Sequence, residues 1–101
     1  MKRHPVVITP SAARDISRAR AWCRDQSTTL RRRLTDELQS AVAQLGESPR
    51  RWAIWRDPDI RRVVLQHAPY SLIYRLFAGR VELVALLHQR QDPTRRFPEA
   101  P

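Results

Sequence analysis

Apolar residues recur at helical spacing in the first half of the chain and alternate in the second half. Ala12, Ile16, Ala19 and Cys23 follow one another at i, i+4, i+7 and i+11, with Trp22 alongside. Steps of three and four keep side chains on one face of a 3.6-residue helix. Thr9-Pro10 precedes the stripe as an N-cap with Pro in the first turn, so a first helix is predicted to run to about Arg24. Asp25-Gln26-Ser27 then reads as a connection. Leu30, Leu34, Leu38, Ala41, Val42 and Leu45 form a second stripe, with Gly46 as its C′ stop and Pro49 beyond. Two helices joined so closely should form an antiparallel hairpin.

Around this hairpin the pattern is strand-like. Val6-Val7-Ile8 is β-branched and reads as a short first strand. Trp52-Ala53-Ile54-Trp55 is too short for its pattern to assign an element, and Asp57-Pro58-Asp59 closes it. Ile60 to His67 reads as a strand with Val63 and Leu65 on one face, broken by Ala68-Pro69. Tyr70 to Phe77 is the next strand, with Tyr70, Leu72, Tyr74 and Leu76 on one face. Ala78-Gly79 is a two-residue turn in which Gly supplies positive φ. Val81 to His88 is apolar on nearly both faces, as a covered central strand is. From Gln89 to Pro101 the chain is polar and Pro-rich, and is expected to be irregular or frayed. The order β-α-α-β-β-β predicts an α+β fold, a helical hairpin packed on one face of a small, mostly antiparallel sheet. The helix stripes and the Tyr70/Leu72/Tyr74/Leu76 face should share one core, with Cys23 as a small member of it. Tyr70 and Tyr74 are read as core aromatics; burial is also favoured for Trp52 and Trp55, although an exposed Trp would be a partner anchor.

Composition narrows the chemistry. The chain has 101 residues, room for a single domain over 1–93 with a polar tail over 94–101. Its 42% apolar content argues against disorder. The longest apolar run, Leu83 to Leu87, is far short of the roughly 18 residues of a membrane span, and no membrane partner is expected. Val6-Val7-Ile8 is too short for a signal-peptide core, so a cytoplasmic location is expected. The lone Cys23 excludes an internal disulfide framework and a Cys-rich zinc site. His4 and His67 lack supporting acids or thiols, and no metal or other cofactor is expected. Gly46 and Gly79 are the only glycines, which excludes P-loop and Rossmann phosphate binding, and no Ser/His/Asp arrangement is present. Nineteen basic residues, eighteen of them arginine, face ten acidic ones for a net charge of +9. That excess suggests a polyanionic or acidic partner. The charge is spread evenly over both halves, and arginine-rich coding bias explains part of it equally well.

Four segments now carry a family resemblance. Pro10-Ser11-Ala12-Ala13-Arg14-Asp15-Ile16 resembles the entry into the helical hairpin of RelE/ParE-family toxins. Ile60-Arg61-Arg62 resembles their arginine-bearing strand. Pro69-Tyr70-Ser71-Leu72-Ile73-Tyr74-Arg75 resembles their Tyr-x-hydrophobic-hydrophobic-Tyr-Arg strand. Leu87-His88-Gln89-Arg90-Gln91-Asp92-Pro93 resembles the closing His-x-Arg-Arg-Asp-Pro signature, with Gln91 in place of the second Arg. The match spans roughly residues 6–93 in order. The resemblance implies a small bacterial toxin encoded beside an antitoxin. RelE-like members cut messenger RNA in the ribosomal A site, whereas ParE-like members inhibit DNA gyrase by binding.

Residue chemistry favours the second kind. RNA cleavage by 2′-OH attack needs a base, an acid and cations around the phosphate. By resemblance, Arg62 and Arg90 fit two cationic positions. Val64 stands where RelE-like members carry a second Lys, Ser71 stands where an Arg often follows the first Tyr, and no Tyr follows Asp92. His88 is the remaining acid/base candidate. The resemblance thus implies a target surface of His88, Arg90, Asp92, Arg95 and Arg96. Arg31, Arg32, Arg61 and Arg75 are expected to meet an acidic antitoxin lying in the groove of the hairpin and sheet, within a higher-order toxin–antitoxin assembly. Arg31-Arg32-Arg33 opposes the dipole of the second helix, as a solvated or partner-facing run does. Solvation, or pairing with acids such as Glu82, explains the strand arginines about as well as function. The rival reading is a ribosome-dependent mRNA endonuclease using Arg62, His88 and Arg90.

Overall fold

Thr9 ends the first strand and starts the first helix. Its Oγ1 donates to the Leu83 carbonyl (2.8 Å) and accepts from the Ala12 N–H (3.2 Å), so one hydroxyl pins strand to sheet and caps the helix. The computed structural model describes residues 3–56 and 58–97. Strand β1 is Val6–Ile8, helix α1 Pro10–Gln26 and helix α2 Thr28–Glu47. Strands β2 (Ile54–Arg56), β3 (Ile60–Val64), β4 (Tyr70–Phe77) and β5 (Arg80–His88) follow, then a 3-10 turn over Pro93–Arg95.

The connection between the helices is a single residue rather than three. Ser27 is extended (φ −171°, ψ 151°); its N–H donates to the Cys23 carbonyl while its Oγ accepts from the Leu30 N–H (3.0 Å). It caps the end of α1 and the start of α2 together. Gly46, expected as the stop of α2, lies inside its last turn, and Ser48 is the cap. The Gly46 carbonyl accepts from the His4 N–H (2.7 Å), tying the end of α2 to the residues before β1.

The sheet order is β1-β5-β4-β3-β2, with β1 parallel to β5 and the other pairs antiparallel. Strand β2, which the pattern could not assign, is an irregular edge against β3. Strand β3 ends at Val64 rather than His67. Beyond it the N–H groups of Gln66, His67 and Ala68 turn to the Glu37 carboxylate at 2.6–3.0 Å, tying α2 to the β3–β4 turn. In the β4–β5 turn Ala78 (φ +52°) and Gly79 (φ +75°) both take the left-handed conformation a tight hairpin requires.

The hairpin covers one face of the sheet. Leu34, Leu45, Leu72, Tyr74 and Val81 are fully buried there, beside Ala12, Ala19 and Cys23. The Tyr74 hydroxyl donates to the Pro49 carbonyl (2.7 Å), so its one buried polar atom is satisfied. A bulge explains why β5 reads as apolar on both faces. Tyr74 pairs with Leu83 but Ile73 pairs with Ala85, leaving Val84 as the extra residue. Val81 and Leu83 face the helices, and Leu86 does so after the slip. Ala85 and Leu87 therefore face outward, where Ile73, Trp55 and Phe97 cover them.

As far as Phe97 the tail is irregular, as expected, apart from one 3-10 turn, and side-chain contacts hold it in place. The Asp92 carboxylate accepts from both the N–H (3.0 Å) and the hydroxyl (2.7 Å) of Thr94 and starts the 3-10 turn. Phe97 then meets Trp55 edge to face at 5.8 Å. Positions 98–101, covered by the same expectation, lie outside the described residues. No helix among the described residues is long and apolar enough to cross a membrane.

Candidate functional site

The residues singled out by sequence lie in three places. The first is the end of β5. His88 pairs with Tyr70 across β4 and faces the helix side, where its ring meets Trp22 (4.7 Å) and Tyr70 (5.0 Å) edge to face. Its Nδ1 accepts from the Arg90 N–H (3.1 Å), which assigns the ring proton to Nε2. Nε2 is shielded from solvent and has no hydrogen-bond partner among the described residues. Burial, followed by the nearby Arg90 charge, holds His88 below its ordinary pKa. Burial likewise pushes Tyr70 up to about 12. Hydrogen bonds from Thr94 hold the Asp92 carboxyl below the usual carboxylate range.

Arg96 behaves differently from its neighbours. One guanidinium nitrogen meets Asp15 Oδ2 at 2.7 Å, and the other meets Ser11 Oγ at 2.6 Å and the Val84 carbonyl at 3.4 Å. Asp15, only 8% exposed, also accepts from the Leu86 N–H (3.0 Å) with the same oxygen. β1 pairs with β5 only as far as Leu83, so this Asp15–Arg96 pair caps the edge of β5 that β1 leaves open. Arg96 thus clasps the tail, while Arg90 and Arg95 are exposed and form no ion pair among the described residues. Asp15 was missed as a site residue although its motif was noted. The signal was present: a carboxylate between Ala12 and Ala19 on an otherwise apolar stripe.

The second place is a groove of about 750 Å³ between the two helices and the β1–β5 edge. Ile8, Ile16, Leu38, Val42 and Leu83 supply its apolar lining, and Arg20, Arg24 and Arg31 its charge. Arg31 therefore opens onto the groove; Arg32 is exposed and is not part of its lining.

The third place is the strand arginines. Arg61, expected at an antitoxin surface, turns inward and is 8% exposed. Its guanidinium donates to Asp59 (2.7 Å) and to the carbonyls of Trp52 (2.6 Å) and Arg50 (3.2 Å), which makes it a cross-link of the β2–β3 edge. Arg75 and Arg80 both bind Glu82, at 2.5 and 2.9 Å, and both lie over the exposed Phe77 ring. These hydrogen bonds hold the Glu82 carboxyl below its usual range. Arg62 is exposed on the outer face, 5.4 Å from the Trp55 ring. Trp52 and Trp55 are each half-buried rather than fully enclosed.

Arg62 and His88 consequently do not converge. Arg62 pairs with Ile73 and shares its outward face, while His88 sits between Trp22 and Tyr70 on the helix side. Between Arg62 and the end of β5 the outer face is apolar, built from Ile73, Ala85 and Leu87 under Phe97. Among the described residues no group of three or more His, Cys, Asp or Glu is placed to hold a metal ion.

Comparison with known proteins agrees with this architecture. A chain from the chromosomal ParDE TA system of P. aeruginosa superposes with a TM-score of 0.61 at 14% identity, covering 85% of this chain and 96% of that one. The E. coli toxin RelE, as an arginine mutant in the free state, superposes with a TM-score of 0.56 at 20% identity, covering 87% and 85%. At these identities the likeness is one of fold. No individual curated protein matches by sequence. The sequence model for the ParE toxin of the type II toxin–antitoxin system parDE matches residues 6–93. Those residues carry β1 through β5 and the opening of the tail, and the chain belongs to the ParE toxin family of type II toxin–antitoxin systems.

Proposed function

We propose that this toxin acts by binding DNA gyrase in the cytoplasm rather than by cutting RNA. The observation that carries the reading is the separation of Arg62 and His88 onto opposite faces of the sheet. A general base must reach the proton it abstracts. Here Nδ1 of His88 is occupied, Nε2 is shielded, and of the two candidate phosphate-binding cations only Arg90 lies near the ring, Arg62 being across the sheet. Binding makes no such demand. The exposed end of β5, with Arg90 and Arg95 held by the clasped tail, offers charge on a rigid base.

The antitoxin is proposed to fill the α1–α2 groove with an acidic, amphipathic segment. Apolar side chains would cover Ile16, Leu38 and Val42, and carboxylates would meet Arg20, Arg24 and Arg31. Arg32 and Arg75 lie outside that groove and would meet flanking parts of the same partner. The test is a parallel assay of gyrase supercoiling and of messenger RNA cleavage on programmed ribosomes. Inhibition of supercoiling without cleavage is expected. A-site cleavage that Arg90→Ala abolishes, with gyrase untouched, overturns the reading.

A further inference from the structure

A second, smaller cleft of about 380 Å³ opens between α1 and the end of β5. Its apolar lining is Ala19, Trp22, Tyr70 and Leu86, and its charged lining is Arg18, Asp15 and Arg90. The Asp15 carboxylate is already committed to Arg96 and to the Leu86 N–H. Arg18 and Arg90, both exposed, have no carboxylate partner among the described residues. Two guanidinium groups without counter-charge therefore flank an apolar hollow. Arg18 stands one helical turn before Trp22, and the Arg90 backbone is held by His88 Nδ1, so both are carried on ordered structure.

We infer that this cleft is a socket for an acidic side chain of the target protein, with Arg18 and Arg90 as its cationic rim and Trp22 as its apolar wall. The inference rests on the gyrase-binding reading and assigns that site two residues on α1, Arg18 and Trp22. A carboxylate with its methylene stem matches the lining: the stem lies on Trp22 and the charge meets two guanidinium groups. Apolar walls exclude water and strengthen such charge-assisted hydrogen bonds. A nucleobase matches less well. Tyr70 is 6% exposed, and the Trp22, Tyr70 and His88 rings already meet one another edge to face. Stacking a base needs an open ring face. The role of His88 here is to form the floor and to hold the Arg90 loop.

Charge reversal at Arg18 in the full chain is the test, with Arg14→Glu, an exposed charge reversal on the same helix outside the cleft, as its control. Arg18→Glu should weaken inhibition of gyrase supercoiling by tenfold or more, while Arg18→Lys should retain part of it. Arg14→Glu should leave inhibition unchanged, and thermal melting should show all three variants folded. Inhibition by Arg18→Glu equal to wild type overturns the socket and leaves the gyrase reading standing. A wild-type chain that does not inhibit gyrase overturns both. The same variants are titrated with a single-stranded oligonucleotide: tight binding by wild type that Arg18→Glu alone abolishes overturns the protein occupant in favour of a nucleic-acid one.

Discussion

The two faces of the sheet are both apolar at their centres, yet they are built differently. The helix-side face is closed by two stripes of residues close in sequence, and it buries Leu34, Leu45, Leu72 and Tyr74 completely. The outer face is closed by one strand-edge tryptophan and one tail phenylalanine over Ile73, Ala85 and Leu87. The first is held by many contacts from continuous elements. The second depends on a bulge in β5 and on a clasp between Asp15 and Arg96, which lie 81 residues apart. The outer face and the tail are therefore the part of the molecule expected to open first.

The most severe way to break the comparison is to empty the helix-side core. Leu72→Ala removes a fully buried side chain at the centre of β4 and should cost about 3–4 kcal/mol in urea unfolding. Asp15→Ala strikes the clasp. It leaves the buried Leu86 N–H without its acceptor and Arg96 without its counter-charge, and should cost about 2–3 kcal/mol. Asp15→Asn keeps an acceptor for Leu86 and should cost less than half as much. Equal losses for the two variants would mean that the charge, not the strand-edge hydrogen bond, carries the clasp. Phe97→Ala opens only the outer face. About 1 kcal/mol is expected, with faster amide exchange confined to the tail and the end of β5. A loss matching Leu72→Ala would erase the distinction between the faces.

The smallest effect is on pH. Burial lowers the His88 pKa in the fold, so above pH 6.5, its unfolded value, the ring is neutral in both states. As pH falls below 6.5 the unfolded chain takes up the proton first, and this contribution to stability is lost towards and through the lowered folded pKa. The unfolding midpoint of wild type should therefore decline between pH 7.5 and 5.5 more than that of His88→Phe. Parallel profiles for the two proteins would remove His88 from the account. Losses from Glu82 and Asp92, whose pKa values are also lowered, enter only at more acidic pH.

Much of the helix-side face was legible because its information is local. Ala12, Ile16, Ala19 and Cys23 repeat with the helix, and Tyr70, Leu72, Tyr74 and Leu76 with the strand, so each pattern names its own buried side. Thr9 and Pro10 likewise marked the start of α1. Strand β2 was not legible: three residues at an irregular edge hold no period, and their partner β3 decides them. Arg61 and Arg62 are adjacent arginines with the same local propensity. Pleating sends one inward to Asp59 and two carbonyls and the other outward beside Trp55.

By itself the sequence determined the hairpin, the order of four of the five strands along the chain, the main core and the family motifs, because helical and strand periods act over a few residues. Only the tertiary structure decided which carboxylate each arginine meets, that Arg96 clasps the tail instead of standing free, and that His88 lies opposite Arg62. Those outcomes follow from a one-residue slip in β5 and from contacts between distant segments. A single inserted position there reverses which face every later side chain takes.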